Sequence, residues 1–129
     1  MANLNSISPF FIVSDLRGSL AFYTQKLGFE TRFTGPENDP YFAIVGRDQV
    51  SIMLKEIEPG IGAMPNHTRH QWARWDAYVS AADPNGLFNE FKSAGIKFVQ
   101  PLSVNSDNLL GFEIEDADGY VLFFGKPNE

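Results

Sequence analysis

The strongest constraint on the fold is an internal repeat of nearly constant spacing. The segment from Asp15 to Gly28 reads as a helix that begins at an aspartate and ends at a glycine, and the segment from Asp83 to Gly95 reads in the same way. Aspartate can cap free N–H groups at a helix N-terminus, and glycine adopts the left-handed conformation that often ends a helix. The two aspartates are 68 residues apart and the two glycines 67 apart. This repetition predicts two copies of one supersecondary unit.

Both segments carry apolar residues at helical spacing, as amphipathic helices do. Pro84 stands at a first helical position, where proline is tolerated. The apolar positions are Leu16, Leu20, Tyr23 and Leu27 in the first helix and Leu87, Phe91 and Ala94 in the second.

One strand precedes each predicted helix and three follow it. The predicted strands are residues 9–13, 29–33, 41–45 and 50–54 in the first half and 75–79, 97–99, 111–114 and 120–124 in the second. Residues 35–40 and 102–110 are predicted as loops. The fold class is therefore α+β, with β-α-β-β-β modules at residues 1–55 and 73–129 and a linker at 56–72. Because a half of about 60 residues is marginal alone, we expect one domain spanning residues 1–129.

Charge and composition exclude several functions. The chain carries 10 Lys and Arg against 16 Asp and Glu, a net charge of −6, so its field repels nucleic acid. It contains no cysteine, which excludes disulfide scaffolds and thiol nucleophiles. The longest apolar runs are too short for a membrane span, and the N-terminus lacks signal-peptide features, so we expect a cytoplasmic protein without a membrane partner. Its acidity fits a small cationic or amphipathic partner.

Several motifs carry a family resemblance when they are taken in order. They are Val13-Ser14-Asp15-Leu16, Phe22-Tyr23, Leu27-Gly28-Phe29, Ala94-Gly95 and Glu115-Asp116-Ala117-Asp118-Gly119-Tyr120. The chain thereby resembles, over nearly its whole length, the vicinal oxygen chelate superfamily, which includes glyoxalase I, extradiol dioxygenases, fosfomycin-modifying enzymes and bleomycin resistance proteins. The resemblance implies a curved, barrel-like mixed sheet with a cleft. Because this superfamily is chemically diverse, the fold does not fix the function.

The resemblance also marks four positions at which the family's metal enzymes carry His and Glu ligands. Here those positions hold Ser8, Met53, Asp76 and Phe123. One carboxylate among a hydroxyl, a thioether and a phenyl ring does not suit a divalent ion, so we expect no metal and no cofactor. His67 and His70 lie in the linker, and we interpret them as loop histidines rather than a ligand pair, since zinc would need a third protein ligand.

Strand alternation divides the sheet residues between two faces. One face is uniformly apolar, as a face beneath helices must be. It comprises Phe11, Val13, Val50, Ile52, Leu54, Ala77, Val79, Leu122 and Phe124. The other face mixes aromatic and polar residues. Glu113 and Glu115 lie near these strands and could face a ligand, but charged residues are common at exposed strand ends, so neither is included in the predicted site.

The mixed face, with two flanking tryptophans, is the predicted ligand cleft. A mostly apolar cleft with a few polar groups is typical of a small-molecule site. The predicted ligand-binding residues are Ser8, Phe10, Ser51, Met53, Trp72, Trp75, Asp76, Tyr78 and Phe123. Aromatic residues make up 14% of the chain, and the cleft would account for some of them. For Asp76 two interpretations stay open, a ligand contact or a structural carboxylate paired with Arg69 or Arg74.

Three functions of different classes fit these patterns. The favoured hypothesis is a metal-free binding protein of the bleomycin-resistance type that sequesters a cationic or aromatic ligand, such as a cationic glycopeptide antibiotic, without assigned catalytic residues. The alternative is a divalent-metal-dependent lyase or dioxygenase with an atypical ligand set drawn from Asp76, His67 and His70. The third is an interaction domain without a small ligand. In each case we expect a homodimer, because the family often forms clefts from halves of two chains.

Overall fold

The order β-α-β-β-β occurs twice along the chain, as the internal repeat predicts. The computed structural model describes residues 3–129. The first module contains β1 (Phe10–Val13), α1 (Leu16–Ala21), a π-helical turn (Phe22–Lys26), β2 (Glu30–Gly35), β3 (Phe42–Arg47) and β4 (Val50–Glu56). After a short 3-10 helix (Asn66–Thr68), the second contains β5 (Trp75–Ser80), α2 (Pro84–Ser93), β6 (Phe98–Val104), β7 (Leu109–Glu115) and β8 (Val121–Pro127). Within residues 3–129, no helix has the length and apolar character that crossing a bilayer requires.

Each module forms its own four-stranded mixed sheet. The strand orders are β1-β4-β3-β2 and β5-β8-β7-β6. In each sheet the first pair is parallel and the other two pairs are antiparallel. The predicted fold class is thus confirmed, in the form of two separate sheets rather than a closed barrel.

The hairpin between β6 and β7 is longer than the sequence predicted. Residues 102–110 were expected to form a loop, and this prediction was wrong because Val104 pairs with Leu110 in the ladder. The chain reverses within residues 105–108. There the Asn105 side-chain oxygen accepts hydrogen bonds from the amides of Asp107 and Leu109, and Asn108 has a φ of +61°. Asparagine tolerates both roles, so four residues suffice for the turn.

The two helices begin differently, although each follows an aspartate. Asp83 caps α2 by accepting a hydrogen bond from the Gly86 amide at 3.1 Å, as predicted. The same prediction for Asp15 was wrong, because its side chain makes no capping bond to α1. Instead Glu56, from the end of β4, accepts a hydrogen bond from the Leu16 amide at 2.8 Å. A carboxylate at this position also complements the helix dipole.

Both helical segments end at the predicted glycines. Gly28 has a φ of +73° and Gly95 a φ of +82°, the left-handed conformation that glycine adopts without a steric penalty. The first segment reaches Gly28 through its π-helical turn, where the Thr24 hydroxyl donates to the Leu20 carbonyl at 2.7 Å. The chain then enters β2 and β6 at equivalent points of the two modules.

The apolar faces of both sheets share one cluster of buried side chains. Of the nine residues predicted for this face, six belong to the cluster and Val50, Ala77 and Val79 pack against it. The helices contribute Leu16, Tyr23, Leu27 and Phe91. Strand alternation therefore predicted the core correctly, and the mixed faces of the two sheets are directed away from it.

Aromatic rings concentrate in the part of the core that belongs to the second module. Phe112, on β7, is 0% exposed and lies at the centre of this group. Its ring centroid is 5.5–5.8 Å from those of its neighbours Phe88, Phe91, Phe98 and Phe124. Edge-to-face and offset-stacked pairs at this distance add to the free energy gained by burial.

One of the two seams between the modules, which we call the Tyr120 seam, lies where the turn between β7 and β8 contacts β1 and α1. Asp118 accepts hydrogen bonds from the hydroxyls of Ser14 and Ser19 at 2.6 and 3.2 Å. The Tyr120 ring stacks on Phe11 at 4.2 Å, and its hydroxyl donates to the Ile12 carbonyl at 2.6 Å.

Asp116, in the same turn, is a largely buried carboxylate. It accepts hydrogen bonds from the Tyr23 hydroxyl at 2.7 Å and from the amides of Asp118 and Tyr120, both at 2.9 Å. Burial raises the pKa of Asp116 to about 6, and these three hydrogen bonds oppose the rise. Burial, with the nearby Asp116 charge, also raises the pKa of Tyr23, so its hydroxyl stays protonated and donates.

Replacing Asp116 by asparagine is expected to remove a pH dependence of stability. A carboxyl group whose pKa is raised on folding stabilises the protein below the unfolded pKa of 3.8, and this contribution is lost as the pH rises through 6. A gap of about two pH units corresponds to about 3 kcal/mol. In urea unfolding at several pH values, the free energy of unfolding of the wild type should therefore fall, relative to Asp116→Asn, between pH 4 and 7.

The control for this experiment is Asp39→Asn, at an exposed position of the loop between β2 and β3. It should leave the pH profile of the wild type unchanged. A difference between wild type and Asp116→Asn that stays constant from pH 4 to 7 would contradict the assignment.

Candidate functional site

Three aromatic rings lie together on the outer face of the second sheet. Trp75 and Phe123 stack with centroids 4.2 Å apart, and Tyr78 and Phe123 stack at 5.5 Å. Phe123 is only 2% exposed although it lies outside the core cluster, whereas Tyr78 is 43% exposed. Phe123 is therefore the floor of this aromatic platform, and Trp75 and Tyr78 provide its accessible rings.

A β-bulge in β5 brings two of the rings to the same side. Trp75 pairs with Val121 and Tyr78 with Phe123, with a register shift between Trp75 and Ala77. Residues three apart on a regular strand point to opposite faces, and the extra residue at the bulge, Asp76, removes that offset. Trp75 thus joins Tyr78 on the face that holds Phe123.

Asp76 itself ties the bulge to its surroundings. One carboxylate oxygen accepts a hydrogen bond from the Asn66 amide at 2.9 Å, and the other accepts from the Val121 amide at 2.8 Å. Of the two interpretations of Asp76, these contacts favour the structural carboxylate, although its partners are backbone amides rather than Arg69 or Arg74. Both oxygens hold the chain in the conformation that presents Trp75.

The platform has a buried charged neighbour that the sequence analysis left out. Glu113 is 5% exposed and accepts hydrogen bonds from Arg74 Nη2 at 2.6 and 2.8 Å and from Trp75 Nε1 at 3.0 Å. It pairs with Phe123 in the antiparallel ladder of β7 and β8, so it shares that residue's face. The cross-strand pairing of Glu113 with Phe123 is the feature from which its place at the site could have been predicted. Glu113 fixes the indole in place, and Arg74 compensates its charge.

The remaining predicted site residues lie elsewhere. On the outer face of the first sheet, the hydroxyls of Ser8 and Ser51 lie 2.6 Å apart, and Phe10 pairs with Met53 in the parallel ladder. Within residues 3–129, no hydrogen bond or ring contact joins this group to the platform. Trp72 is 87% exposed and its ring contacts His70 at 5.8 Å rather than the platform.

The sequence of this chain also matches a known protein family. Residues 4–124 match the model of the Glyoxalase/Bleomycin resistance protein/Dioxygenase superfamily. The chain belongs to this superfamily. No curated protein matches its sequence.

Several solved structures share the fold. TioX from Micromonospora sp. ML1 is 16% identical with a TM-score of 0.72, over 95% of this chain and 98% of that one. The bleomycin-binding protein from Streptomyces verticillus, complexed with copper(II)-bleomycin, is 20% identical with a TM-score of 0.71 over the whole of both chains. A superfamily domain from Frankia sp. EAN1pec is 23% identical with a TM-score of 0.73, over 98% of this chain and 95% of that one. At these identities the likeness establishes the fold.

The positions of the superfamily's metal ligands do not fit a divalent ion in this member. Both oxygens of Asp76 are occupied by backbone amides, and Phe123 offers no donor atom. His67 Nε2 lies 2.9 Å from the Gly119 carbonyl, and His70 Nδ1 accepts from the Trp72 amide, so the two imidazoles do not converge. No group of three or more His, Asp or Glu side chains within residues 3–129 could hold a metal ion. Divalent ions need several such donors.

Proposed function

We propose that this superfamily member is a binding protein that sequesters a cationic or aromatic small molecule on the platform of Trp75, Tyr78 and Phe123. The observation that carries the proposal is the stacked arrangement of these rings. Phe123 holds the place where the superfamily's metal enzymes carry a glutamate, so an aromatic surface replaces a donor atom. The bleomycin-binding proteins with the same fold are complexed with a small molecule, which supports the proposal.

The ring faces of the platform and the charge of the protein favour a flat, positively charged ligand. Tryptophan and tyrosine faces attract cations and stack on aromatic rings, each effect contributing about 1 kcal/mol. The net charge of −6 adds a long-range attraction for cations. The charge of Glu113 is compensated by Arg74 at the platform itself, so selectivity for a cation comes from the ring faces and the overall field.

A second copy of the chain would complete the cleft. The platform of one chain is an open surface, whereas small-molecule sites bury most of the ligand. The outer face of the first sheet also exposes an apolar side chain, Phe10, at 52%. We propose a homodimer in which this face, with Ser8, Ser51 and Met53, lies opposite the platform of the partner. Light scattering should give the mass of a dimer, and the mass of a monomer would refute this arrangement.

Tryptophan fluorescence offers a direct test of binding. In a Trp72→Phe variant, Trp75 is the sole tryptophan and reports on the platform. Metal-free bleomycin and smaller aromatic cations should quench its emission saturably, and neutral analogues with the same ring should bind more weakly. If no member of the series changes the Trp75 emission, the proposed function is refuted.

A further inference from the structure

The two seams between the modules are related by the internal repeat, and they are filled differently. The strand registers relate them, because Phe11 pairs with Leu54 in the first sheet and Val79 pairs with Phe124 in the second. Four residues before Leu54 and Phe124, respectively, stand Val50 and Tyr120. Val50 is therefore the counterpart of Tyr120, and Val79 is the counterpart of Phe11.

The other seam between the modules is called here the Arg47 seam. It has small side chains at the two positions that correspond to the stacked aromatic pair of the Tyr120 seam. At the Tyr120 seam the tyrosine ring covers Phe11 and its hydroxyl reaches the Ile12 carbonyl. At the Arg47 seam Val50 faces Val79, and the counterpart of Ile12 is Ser80. Val50, the counterpart of Tyr120, carries no ring.

A cavity of about 560 Å³ lies at the Arg47 seam. Apolar residues from the helix-facing sides of both modules form part of its wall, among them Val50, Val79, Leu87, Phe91 and Phe124, and polar and charged residues form the rest. This volume is within the range of small-molecule sites. The cavity is separate from the platform, which lies on the outer face of the second sheet.

The charged groups that line the cavity favour a cation. The Arg47 guanidinium donates to both Glu90 oxygens at 2.7 and 2.9 Å and to the Leu27 carbonyl at 2.9 Å. These hydrogen bonds lower the pKa of Glu90. Asp48 and Asp83 also line the cavity, and neither forms a salt bridge within residues 3–129. The charges of Arg47 and Glu90 neutralise each other, which leaves the carboxylates of Asp48 and Asp83, the second of which also caps α2.

We propose that the cavity at the Arg47 seam is a second binding site, for a small aryl-alkylamine. The aryl ring takes the place that the Tyr120 ring fills at the other seam, between Val50 and Val79. The ammonium group lies at the mouth, near Asp48 and Asp83. This site is independent of the platform and does not require the proposed function.

The test uses 2-phenylethylamine as the probe and amide chemical shifts measured by NMR as the readout. In the wild type, we expect saturable shifts at Val50, Ala81, Ala82 and Leu87. Val50→Tyr supplies the missing ring from within the chain and should weaken binding at least about tenfold. Phenylpropionate, which carries the same ring with the opposite charge, and propylamine, which has no ring, should both bind more weakly.

Two further variants keep the test decisive. Ala82→Phe narrows the mouth at an exposed position and should also weaken binding, so the test does not depend on the folding of Val50→Tyr. Asp39→Asn, at an exposed position of the loop between β2 and β3 that lines neither site, should leave the affinity measured at Val50 and Leu87 unchanged. The proposal is overturned if the wild type shows no saturable shifts at Val50, Ala81, Ala82 and Leu87, or if neither Val50→Tyr nor Ala82→Phe weakens them.

Discussion

Replacing Phe112 by alanine is expected to lower the free energy of unfolding by about 3–5 kcal/mol. Phe112 is fully buried and contacts four other phenylalanine rings, so its removal leaves a cavity among rigid side chains that cannot collapse into it. It also packs in the cluster that both modules share, so the loss should affect the whole protein. Urea unfolding followed by circular dichroism measures the effect.

Two variants calibrate this result. Phe112→Leu keeps most of the volume and should cost less than half as much. Phe33→Ala removes the same ring from β2, where the side chain is 53% exposed, and should cost about 1 kcal/mol or less. A loss below about 1 kcal/mol for Phe112→Ala would show that the ring cluster is not the centre of the core.

The largest expected effect on binding comes from Trp75→Ala. Trp75 offers both a stacking surface and the ring face with the strongest attraction for a cation, and Glu113 and Phe123 hold it in place before the ligand arrives. Losing a preorganised aromatic anchor costs about 2 kcal/mol, which corresponds to about a 30-fold weaker affinity. Calorimetric titration with metal-free bleomycin measures it without depending on tryptophan emission.

The other tryptophan is the matched control. Trp72 is 87% exposed and contacts His70 rather than the platform, so Trp72→Ala should change the affinity less than threefold. Equal losses for the two variants, or a loss only for Trp72→Ala, would place the binding surface away from the platform. Trp72→Ala should unfold at nearly the wild-type urea concentration, because its side chain is 87% exposed. Trp75→Ala should unfold at a lower urea concentration, because the buried Glu113 loses a hydrogen bond and Phe123 loses the ring that covers it.

The repeat made much of the fold predictable. Strands that pack beneath a helix bury alternate residues, so Val13, Leu54 and Phe124 could be assigned to the core from spacing alone. Gly28 and Gly95 marked the helix ends, because few other residues adopt the left-handed conformation. These features depend on local geometry, which the sequence expresses directly.

The composition of the site was less predictable, because its contacts join residues far apart in the chain. The bulge at Asp76 follows from amides of Asn66 and Val121, and no alternation pattern reveals it. Glu113 looked like an exposed strand residue until Arg74 and Trp75 proved to cover it. Likewise, the cap of α1 comes from Glu56, 40 positions beyond Leu16. These partners come together only when the chain folds, so local sequence patterns do not reveal them.

A crystal structure of the protein grown with metal-free bleomycin tests the central proposal most directly. The proposal predicts density for a planar segment of the ligand stacked on the Trp75 ring and beside Tyr78, with Phe123 unchanged beneath them. It also predicts that the outer face of a second copy's first sheet covers the ligand. A complex in which the ligand leaves the platform bare, whether it lies in the cavity at the Arg47 seam or elsewhere on the protein, would contradict it.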